Sequence, residues 1–305
     1  MTTVIGSLPI TNMEIIDFTI KKGFSNFGNT CFYNSTLQCI FRCELLIELL
    51  KNYTGSNQLL KFLTITIKDY FFDKSVITIG PSLLLRSYRQ MNSNYSMGTQ
   101  EDAQECLAYF LDNFDMATKS EGLNITQLFD YNMISNLQCP ICLSQSETRS
   151  NDKVILLPIK NYNSFEEAFE HFMSVERLSD DNLWYCEHCK KKVAANTKLI
   201  IKGSPKYMFI ALKRFENEYI RVLNKIKTSK ITNAINMPNT ININDTKYNI
   251  KGCIMHMGGL NGGHYIYFHK FQSSWTKFND DSISSTNEED DIKKYGYIYL
   301  YEKCA

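Results

Sequence analysis

One cysteine stands where a turn rich in glycine and asparagine changes into a helix, within the stretch Gly23–Gln38. Apolar residues then recur at helical spacing at Leu37, Ile40, Phe41 and Leu45. Asn29 and Thr30 are good capping residues, so we expect Cys31 in the first helical turn. Free backbone N–H groups and the helix dipole favour a thiolate there, and such settings lower a thiol pKa from ~8.5 to roughly 3.5–7.5. The pattern predicts a nucleophile for covalent catalysis.

A nucleophilic cysteine needs a base, and the base needs an acceptor that orients it. The glycine-rich segment 258–263, which would leave room for a substrate backbone, runs into His264. A strand from His264, a turn and a second strand would bring Asn279 back beside His264. The carbonyl of Asn279 would then accept the Nδ1–H of His264 and fix its tautomer. His256 belongs to the same expected sheet, and spacing alone does not choose between the two histidines.

Four of the ten cysteines form two Cys-x-x-Cys pairs, which lie at Cys139, Cys142, Cys186 and Cys189. Each pair can hold one metal through two sulfurs, and the two pairs together would complete a tetrahedral Zn–S4 shell. The long separation between them requires strands in between. Because the site leaves no open position, we expect one structural zinc ion per chain, tying two hairpins together.

Composition and charge exclude several function classes. The 305 residues are 44% hydrophobic and 21% charged, as in a globular protein, and the formal net charge is +1. This balance gives no reason to expect a nucleic-acid partner or an anionic membrane. We expect no secretory signal in residues 1–20 and no membrane span. Cysteines without a disulfide pattern favour a reducing compartment, so the expected location is the cytoplasm or the nucleus.

Periodicity divides the chain into a helical part and a strand-rich part. Residues 22–120 are mainly helical, and the clearest helix follows Thr99–Asp102, which has the form of a capping box. Its expected buried face consists of Ala103, Cys106, Leu107, Phe110, Leu111 and Phe114. The clearest strands are Lys206–Leu212, Tyr248–Met255, His264–His269 and Tyr295–Tyr301. The order predicts an α+β fold with a cleft between its parts.

These motifs together resemble the ubiquitin-specific proteases, the papain-like cysteine deubiquitinases. The stretch Gly23–Gln38 resembles the cysteine box of that family, and Gly263–Tyr265 with Trp275–Asp280 resembles its histidine box. Further matches are Gln100–Glu105, Leu128–Phe129, both cysteine pairs, Pro205–Phe215 and the closing segment Tyr297–Tyr301. The match keeps the family's order over about residues 22–301.

The resemblance implies a hydrolase that attacks the carbonyl of ubiquitin's terminal glycine with Cys31, using His264 as general base and then general acid. It implies that Asn26 and the backbone N–H of Cys31 stabilise the oxyanion. The substrate-binding residues that it implies are Gln100, Asp102, Glu105, His256, Gly263 and Tyr265. Asp102 and Glu105 would meet arginines of the ubiquitin tail from a face opposite Leu107 and Phe110.

The resemblance also implies a hand-like architecture in a single catalytic domain at residues 22–304. A helical thumb would span about residues 22–124, zinc-tipped β fingers about 125–205 and an antiparallel β palm about 206–304. Residues 1–21 would be a short N-terminal extension. The loop 258–263 and the segment Ser284–Asp291 are the parts expected to move.

Two departures from the family pattern bear on the site. The third catalytic position, commonly Asp, is Asn279 here, and the neighbouring Asp280 is expected to share its task. Asp130–Tyr131 stands where the family often has glycine. Expected partners are ubiquitin and ubiquitinated proteins, with room for an activating or targeting protein. The alternatives are a catalytically silent ubiquitin-binding scaffold and a protease for another ubiquitin-like modifier.

Overall fold

The computed structural model describes residues 15–96, 98–179, 182–220, 225–259 and 262–304. Its helices are α1 (Cys31–Ile40), α2 (Glu44–Leu50), α3 (Gln58–Phe71), α4 (Ser82–Met91), α5 (Ala103–Ser120), α6 (Thr126–Phe129), α7 (Phe165–Met173) and α8 (Glu289–Tyr295). Its strands are β1 (Gly23–Phe24), β2 (Thr78–Ile79), β3 (Tyr131–Gln138), β4 (Gln145–Asp152), β5 (Val154–Pro158), β6 (Val175–Arg177), β7 (Trp184–Cys186), β8 (Lys191–Val193), β9 (Asn196–Lys202), β10 (Tyr207–Lys213), β11 (Phe215–Ile220), β12 (Lys225–Lys230), β13 (Thr240–Ile243), β14 (Thr246–Gly259), β15 (Gly262–Phe271), β16 (Ser274–Asn279), β17 (Ser282–Thr286) and β18 (Ile298–Lys303). Helices dominate before β3 and strands after it, which confirms the α+β prediction.

The helix α5 buries the six residues that periodicity selected, from Ala103 to Phe114. Its cap differs from the expected capping box, because the helix begins one residue after Asp102. The Asp102 carboxylate accepts hydrogen bonds from the backbone N–H groups of Gln104 and Glu105. A carboxylate at the cap also interacts favourably with the positive end of the helix dipole.

The helix α1 is shorter than its apolar spacing predicted. It ends at Ile40, and Leu45 belongs to α2, where its side chain is 48% exposed. Buried Arg42 lies at the break and donates hydrogen bonds to backbone carbonyls of the N-terminal segment and to the hydroxyl of Tyr70. All ten residues of α1 are buried, so the helix is surrounded by protein on every side.

The largest sheet has the strand order β17-β16-β15-β14-β18-β10-β5, with β13 paired to β14. Only the pairing of β10 with β5 is parallel among the described strands of this sheet. One of its faces packs against the helical lobe and the other packs against α7 and α8. The helix α1 lies between α5 and β15, which places the N-terminus of α1 beside the start of β15.

A second sheet, in the order β4-β3-β9-β6, leads to the cysteine pairs, with the β7–β8 hairpin at its end. The expected finger segment 125–205 does not coincide with this sheet, because β5 lies within that range and pairs with β10 of the largest sheet. The chain therefore returns to the largest sheet between the two cysteine pairs, which accounts for their long separation.

All four predicted strands form with shifted ends, and the last does not start at Tyr295 as expected. Tyr295 ends α8, and the last strand begins at Ile298. The segment Ser284–Asp291, expected to move, is divided between β17 and α8. Of the loop 258–263, Leu260 and Asn261 lie outside the described residues. Within the described parts of the chain, no helix combines the length and the apolarity that crossing a membrane requires.

Candidate active site

Cys31 is the first residue of α1, as the sequence predicts, but the turn before it is stabilised in another way. Thr30 occupies the cap position without a side-chain capping bond. Instead, the side-chain Oδ1 of Asn26 accepts hydrogen bonds from the backbone N–H groups of Gly28 at 2.9 Å and Thr30 at 3.1 Å. Gly28 and Asn29 have positive φ angles of 90° and 55°. Glycine and asparagine tolerate this left-handed region, which explains the composition of the turn.

Burial raises the pKa of the Cys31 thiol above its ordinary value, so the prediction of a depressed pKa is wrong. The side chain is 2% exposed, and loss of hydration disfavours the thiolate. A backbone hydrogen bond from Tyr265 lowers the pKa, whereas the carboxylate of Asp280 raises it. Burial is the largest of these effects. Cys31 therefore rests as a thiol at neutral pH and needs a base to become a nucleophile.

His264 and Asn279 meet through the β15–β16 hairpin, as expected. Tyr267 lies opposite Phe278, so Asn279 is a diagonal neighbour of His264 on the same face of the sheet. The Oδ1 of Asn279 is 2.5 Å from the Nε2 of His264. The nitrogen differs from the prediction, which named Nδ1. Because Nε2 is held by Asn279, Nδ1 is the ring nitrogen left for a proton transfer.

Asp280 is placed differently from its neighbour. Its two carboxylate oxygens accept hydrogen bonds from the side-chain amides of Asn26 at 2.8 Å and Asn34 at 2.7 Å. Its φ of 52° turns the residue toward the cysteine turn. The expectation that Asp280 shares the orientation of His264 is therefore replaced by another role, the fixing of Asn26.

Both polar atoms of the Asn26 side-chain amide therefore make hydrogen bonds. Its oxygen is used by the cysteine turn, and one N–H of its Nδ2 is used by Asp280. The second N–H of Nδ2 remains as a donor near the start of α1. This arrangement is suited to stabilising an oxyanion together with the Cys31 backbone N–H.

A cavity of about 330 Å³ lies beside the start of β15, and five of the six predicted substrate-binding residues line it. These five are Gln100, Asp102, His256, Gly263 and Tyr265. Glu105 is exposed and lines the adjoining cavity of about 300 Å³ instead. The grouping is the one that the family resemblance implies, although periodicity alone would not have produced it.

Asp102 is less available than the prediction supposed. Besides capping α5, it accepts a hydrogen bond from the hydroxyl of Tyr297 at 2.8 Å. Burial raises the pKa of the Asp102 carboxyl, and the bond from Tyr297 opposes that effect. Asp102 is thus held in place in the wall of the 330 Å³ cavity. Glu105, by contrast, presents a carboxylate to solvent.

His256 is part of the wall of the same cavity, not the partner of Asn279. Its ring lies 4.6 Å from that of Tyr265 and 5.4 Å from that of Phe215, measured between centroids. Burial, reinforced by the charges of Lys230 and His264, lowers the pKa of His256 to about 4, so the imidazole is neutral at pH 7. The geometry resolves the choice that spacing left open: only His264 has an orienting acceptor.

The four cysteines of the two pairs converge where the β3–β4 and β7–β8 turns meet. Their sulfurs all lie within 4.8 Å of one another, with 3.8 Å between Cys139 and Cys189 and 3.6 Å between Cys142 and Cys186. A tetrahedral shell with Zn–S bonds of ~2.3 Å needs sulfurs about 3.8 Å apart, so the spacing fits zinc.

The backbone around the cysteines is also that of two metal-binding knuckles. A backbone N–H donates to a cysteine sulfur at 3.4 Å in each pair. The residue after each second cysteine, Leu143 or Lys190, has a positive φ of 62° or 52°. The two pairs therefore have matching local geometry.

Sequence reasoning did not single out Asn34, Phe215 or Tyr297 as parts of the site. Each lies inside a stretch that carried the family resemblance, which was the available signal. Their roles depend on contacts with residues more than 40 positions away along the chain, such as Asn34 with Asp280, and no local pattern records such contacts.

Comparison with known families identifies a match over most of the chain. The family model described as "Ubiquitin carboxyl-terminal hydrolase" matches residues 22–301. Among named relatives, the chain is 29% identical to ubiquitin carboxyl-terminal hydrolase Usp2 of Drosophila melanogaster, over 92% of its own length. It is 25% identical, over 92% of its length, to the probable ubiquitin carboxyl-terminal hydrolase 16 of Schizosaccharomyces pombe. The chain spans 34% of the first relative and 66% of the second.

Solved structures share the fold. The SAGA DUB module of Ubp8, Sgf11, Sus1 and Sgf73 bound to monoubiquitin matches with a TM-score of 0.79 at 24% identity, over 93% of this chain and 69% of the matched chain. The Ubp8 module bound to ubiquitin aldehyde matches with a TM-score of 0.78 at 24% identity, over 98% of this chain and 72% of the other.

Proposed function

Because this chain belongs to the ubiquitin carboxyl-terminal hydrolase family, we propose that it is a thiol-dependent hydrolase of the peptide or isopeptide bond after ubiquitin's C-terminal glycine. The observation that carries the proposal is the His264–Asn279 hydrogen bond beside the start of α1. It leaves one imidazole nitrogen free for Cys31, the residue at the helix N-terminus.

The chemistry follows from these positions. His264 removes the thiol proton of Cys31, and the sulfur attacks the glycine carbonyl carbon to form a tetrahedral intermediate. Asn26 and the Cys31 backbone N–H stabilise its oxygen. The intermediate expels the amine, which takes the proton from His264, and a thioester remains. Water, deprotonated by His264, then hydrolyses the thioester and restores the thiol.

The neutral acceptor Asn279 supports this cycle in a specific way. Because Asn279 holds the Nε2 of His264, the neutral imidazole carries its proton on that nitrogen and presents an unprotonated Nδ1. The imidazolium that forms during attack then donates a charge-assisted bond to Asn279.

We also propose that the cysteine cluster binds one structural zinc ion through Cys139, Cys142, Cys186 and Cys189. The sulfur spacing and the paired knuckles support zinc. When bound, the ion would tie the β3–β4 hairpin to the β7–β8 hairpin and take no part in hydrolysis.

The expected architecture gives these parts separate tasks. In this proposal the helical lobe is the thumb, the largest sheet is the palm, and the second sheet with the cysteine cluster forms the fingers that contact the body of ubiquitin. The partners are ubiquitin and its conjugates, in the cytoplasm or nucleus. An activating protein is a further proposed partner, by analogy with the Ubp8 module, which contains Sgf11, Sus1 and Sgf73.

Turnover of ubiquitin carrying a fluorogenic C-terminal amide tests the proposal, with Cys31→Ala as the comparison. Release of the fluorophore by the wild type alone is the expected result. If both proteins bind ubiquitin tightly and neither releases the fluorophore, the chain is a ubiquitin-binding scaffold. If neither binds ubiquitin but the wild type cleaves another ubiquitin-like modifier, the assignment of ubiquitin as the substrate is wrong. The assignment of a thiol-dependent hydrolase is then retained.

A further inference from the structure

Strand β15 is longer than its neighbour β16, and its first five residues, 262–266, extend beyond the part that pairs with β16. The strand β16 pairs with β15 only from Tyr267 to Phe271. On the other side, β14 pairs with β15 from its first residue, Gly262. No strand within the described ranges pairs with residues 262–266 on the β16 side. An unpaired strand edge offers backbone N–H and C=O groups to an added peptide.

The side chain of Gln100 occupies this edge. Its Nε2 donates to the carbonyl oxygen of Gly263 at 2.7 Å, and its Oε1 accepts from the Gly263 N–H at 3.2 Å. A carboxamide carries the same donor and acceptor as a peptide group. Gln100 therefore makes with Gly263 the pair of hydrogen bonds that a neighbouring strand would make.

The position on the edge can be related to the nucleophile. Backbone groups that point to the same side of a strand recur every second residue, about 6.8 Å apart. Two residues after Gly263, the backbone of Tyr265 hydrogen-bonds to Cys31. An extended chain paired with Gly263 would consequently place a carbonyl one or two residues further along at the sulfur of Cys31.

The surroundings of Gly263 leave room for little else. A Cβ on Gly263 would lie 2.0 Å from the Nε2 of His256 and 2.7 Å from the backbone oxygen of Met257. The face of the sheet at Gly263 is therefore filled by the His256 ring, and any side chain at this position would clash with it.

We propose that Gln100 is a latch that occupies the docking position of the substrate backbone on β15 and must be displaced before a tail can enter. This inference rests on the proposed function and adds a regulatory role for Gln100. It differs from a simple substrate contact, because the latch competes with the tail. If the docking position is open in only a small fraction of the molecules, the apparent affinity for the ubiquitin tail is reduced by that fraction. Removing the latch then restores the affinity.

The test uses Gln100→Ala and the isosteric Gln100→Glu, which cannot donate to the Gly263 carbonyl. Gln90→Ala is the matched control, since Gln90 is exposed on α4 of the same lobe. The first readout is hydrogen exchange of the Gly263 amide, which does not depend on catalysis. The second readout is kcat/KM for the ubiquitin amide.

The latch predicts faster Gly263 exchange in Gln100→Ala, whereas Gln100→Glu keeps an oxygen that can accept from the Gly263 N–H and loses only the bond to the Gly263 carbonyl. Because the latch restrains entry through two hydrogen bonds, kcat/KM should increase roughly five-fold or more in Gln100→Ala, while Gln90→Ala changes neither readout. A lower or unchanged kcat/KM in Gln100→Ala, or unchanged Gly263 exchange in that variant, would overturn the proposal. If the wild type does not cleave the ubiquitin amide, the proposed function is wrong. The hydrogen exchange of the Gly263 amide and the affinity for ubiquitin then still test whether Gln100 acts as a latch.

Discussion

The separate placements of Asn279 and Asp280 predict that their substitution impairs catalysis in two distinguishable ways. Asn279 accepts a hydrogen bond from His264, whereas Asp280 accepts from Asn26 and Asn34. When His264 takes the proton of Cys31, its bond to Asn279 becomes charge-assisted. Such bonds contribute about 1.5–3 kcal/mol, so Asn279→Ala should reduce kcat by roughly 10- to 150-fold.

The substitution Asn279→Asp keeps the acceptor and adds a charge that stabilises the imidazolium, so it should retain activity. For Asp280→Ala we expect a loss in kcat no larger than that of one oxyanion donor, roughly 10²- to 10³-fold, because Asn26 loses its anchor. The second signature is a pH shift. Since the Asp280 carboxylate raises the pKa of Cys31, its removal should move the alkaline rise of Cys31 alkylation to lower pH.

The assay is kcat for the ubiquitin amide at saturating substrate, with alkylation of the Cys31 peptide followed by mass spectrometry across the pH range. Asp281→Ala is the matched control, because it removes the same charge one residue away from an exposed position. If Asp280→Ala abolishes activity while Asn279→Ala leaves it nearly intact, Asp280 orients His264 and our assignment is wrong by one residue. If the pH dependence of Cys31 alkylation is unchanged in Asp280→Ala, the Asp280 carboxylate does not raise the pKa of Cys31.

Three further predictions concern protonation and the cysteine cluster. Because burial raises the pKa of Cys31, its alkylation rate in the free protein should still be rising at pH 9; a plateau below pH 7 would contradict this. His256, neutral in the native state, should titrate by NMR near its pKa of about 4 instead of 6.5. The unfolded chain therefore binds more protons between these values, and the free energy of unfolding should fall as pH drops through that window, by about 1–2 kcal/mol after allowance for solvent screening. Zinc removal by a chelator should lower Tm, as should Cys186→Ser, whereas Leu143→Gly should keep or raise it by relieving a positive φ at a gain of up to about 1 kcal/mol; a metal-free protein with unchanged Tm would contradict the zinc assignment.

The sequence was most informative where chemistry is local. The cysteine pairs, the start of α1 at Cys31 and the buried face of α5 follow from spacing and residue type within a few helical turns or one knuckle. Hairpin connectivity brought Asn279 to His264, because antiparallel strands joined by a short turn place residues on one face at diagonal positions.

The errors arose where burial or long-range contacts decide the outcome. The pKa of Cys31 depends on desolvation by a core that no local pattern describes. The predicted lowering of this pKa by the helix N-terminus was therefore too large. The nitrogen of His264 that meets Asn279 depends on a side-chain rotamer, and the role of Asp280 depends on asparagines near residue 30. At the premature end of α1 lies Arg42, whose partners are backbone carbonyls before β1 and the hydroxyl of Tyr70 on α3.

Covalent trapping by ubiquitin that carries a C-terminal vinyl sulfone in place of its terminal carboxylate tests most directly whether Cys31 is the nucleophile. We expect one ubiquitin per chain by intact mass, with the adduct on Cys31 after digestion, although the chain contains ten cysteines. Cys31→Ala should form no adduct, and His264→Ala should form it far more slowly. An adduct on another cysteine, or none on the wild type, would contradict the claim that Cys31 is the nucleophile of a ubiquitin hydrolase.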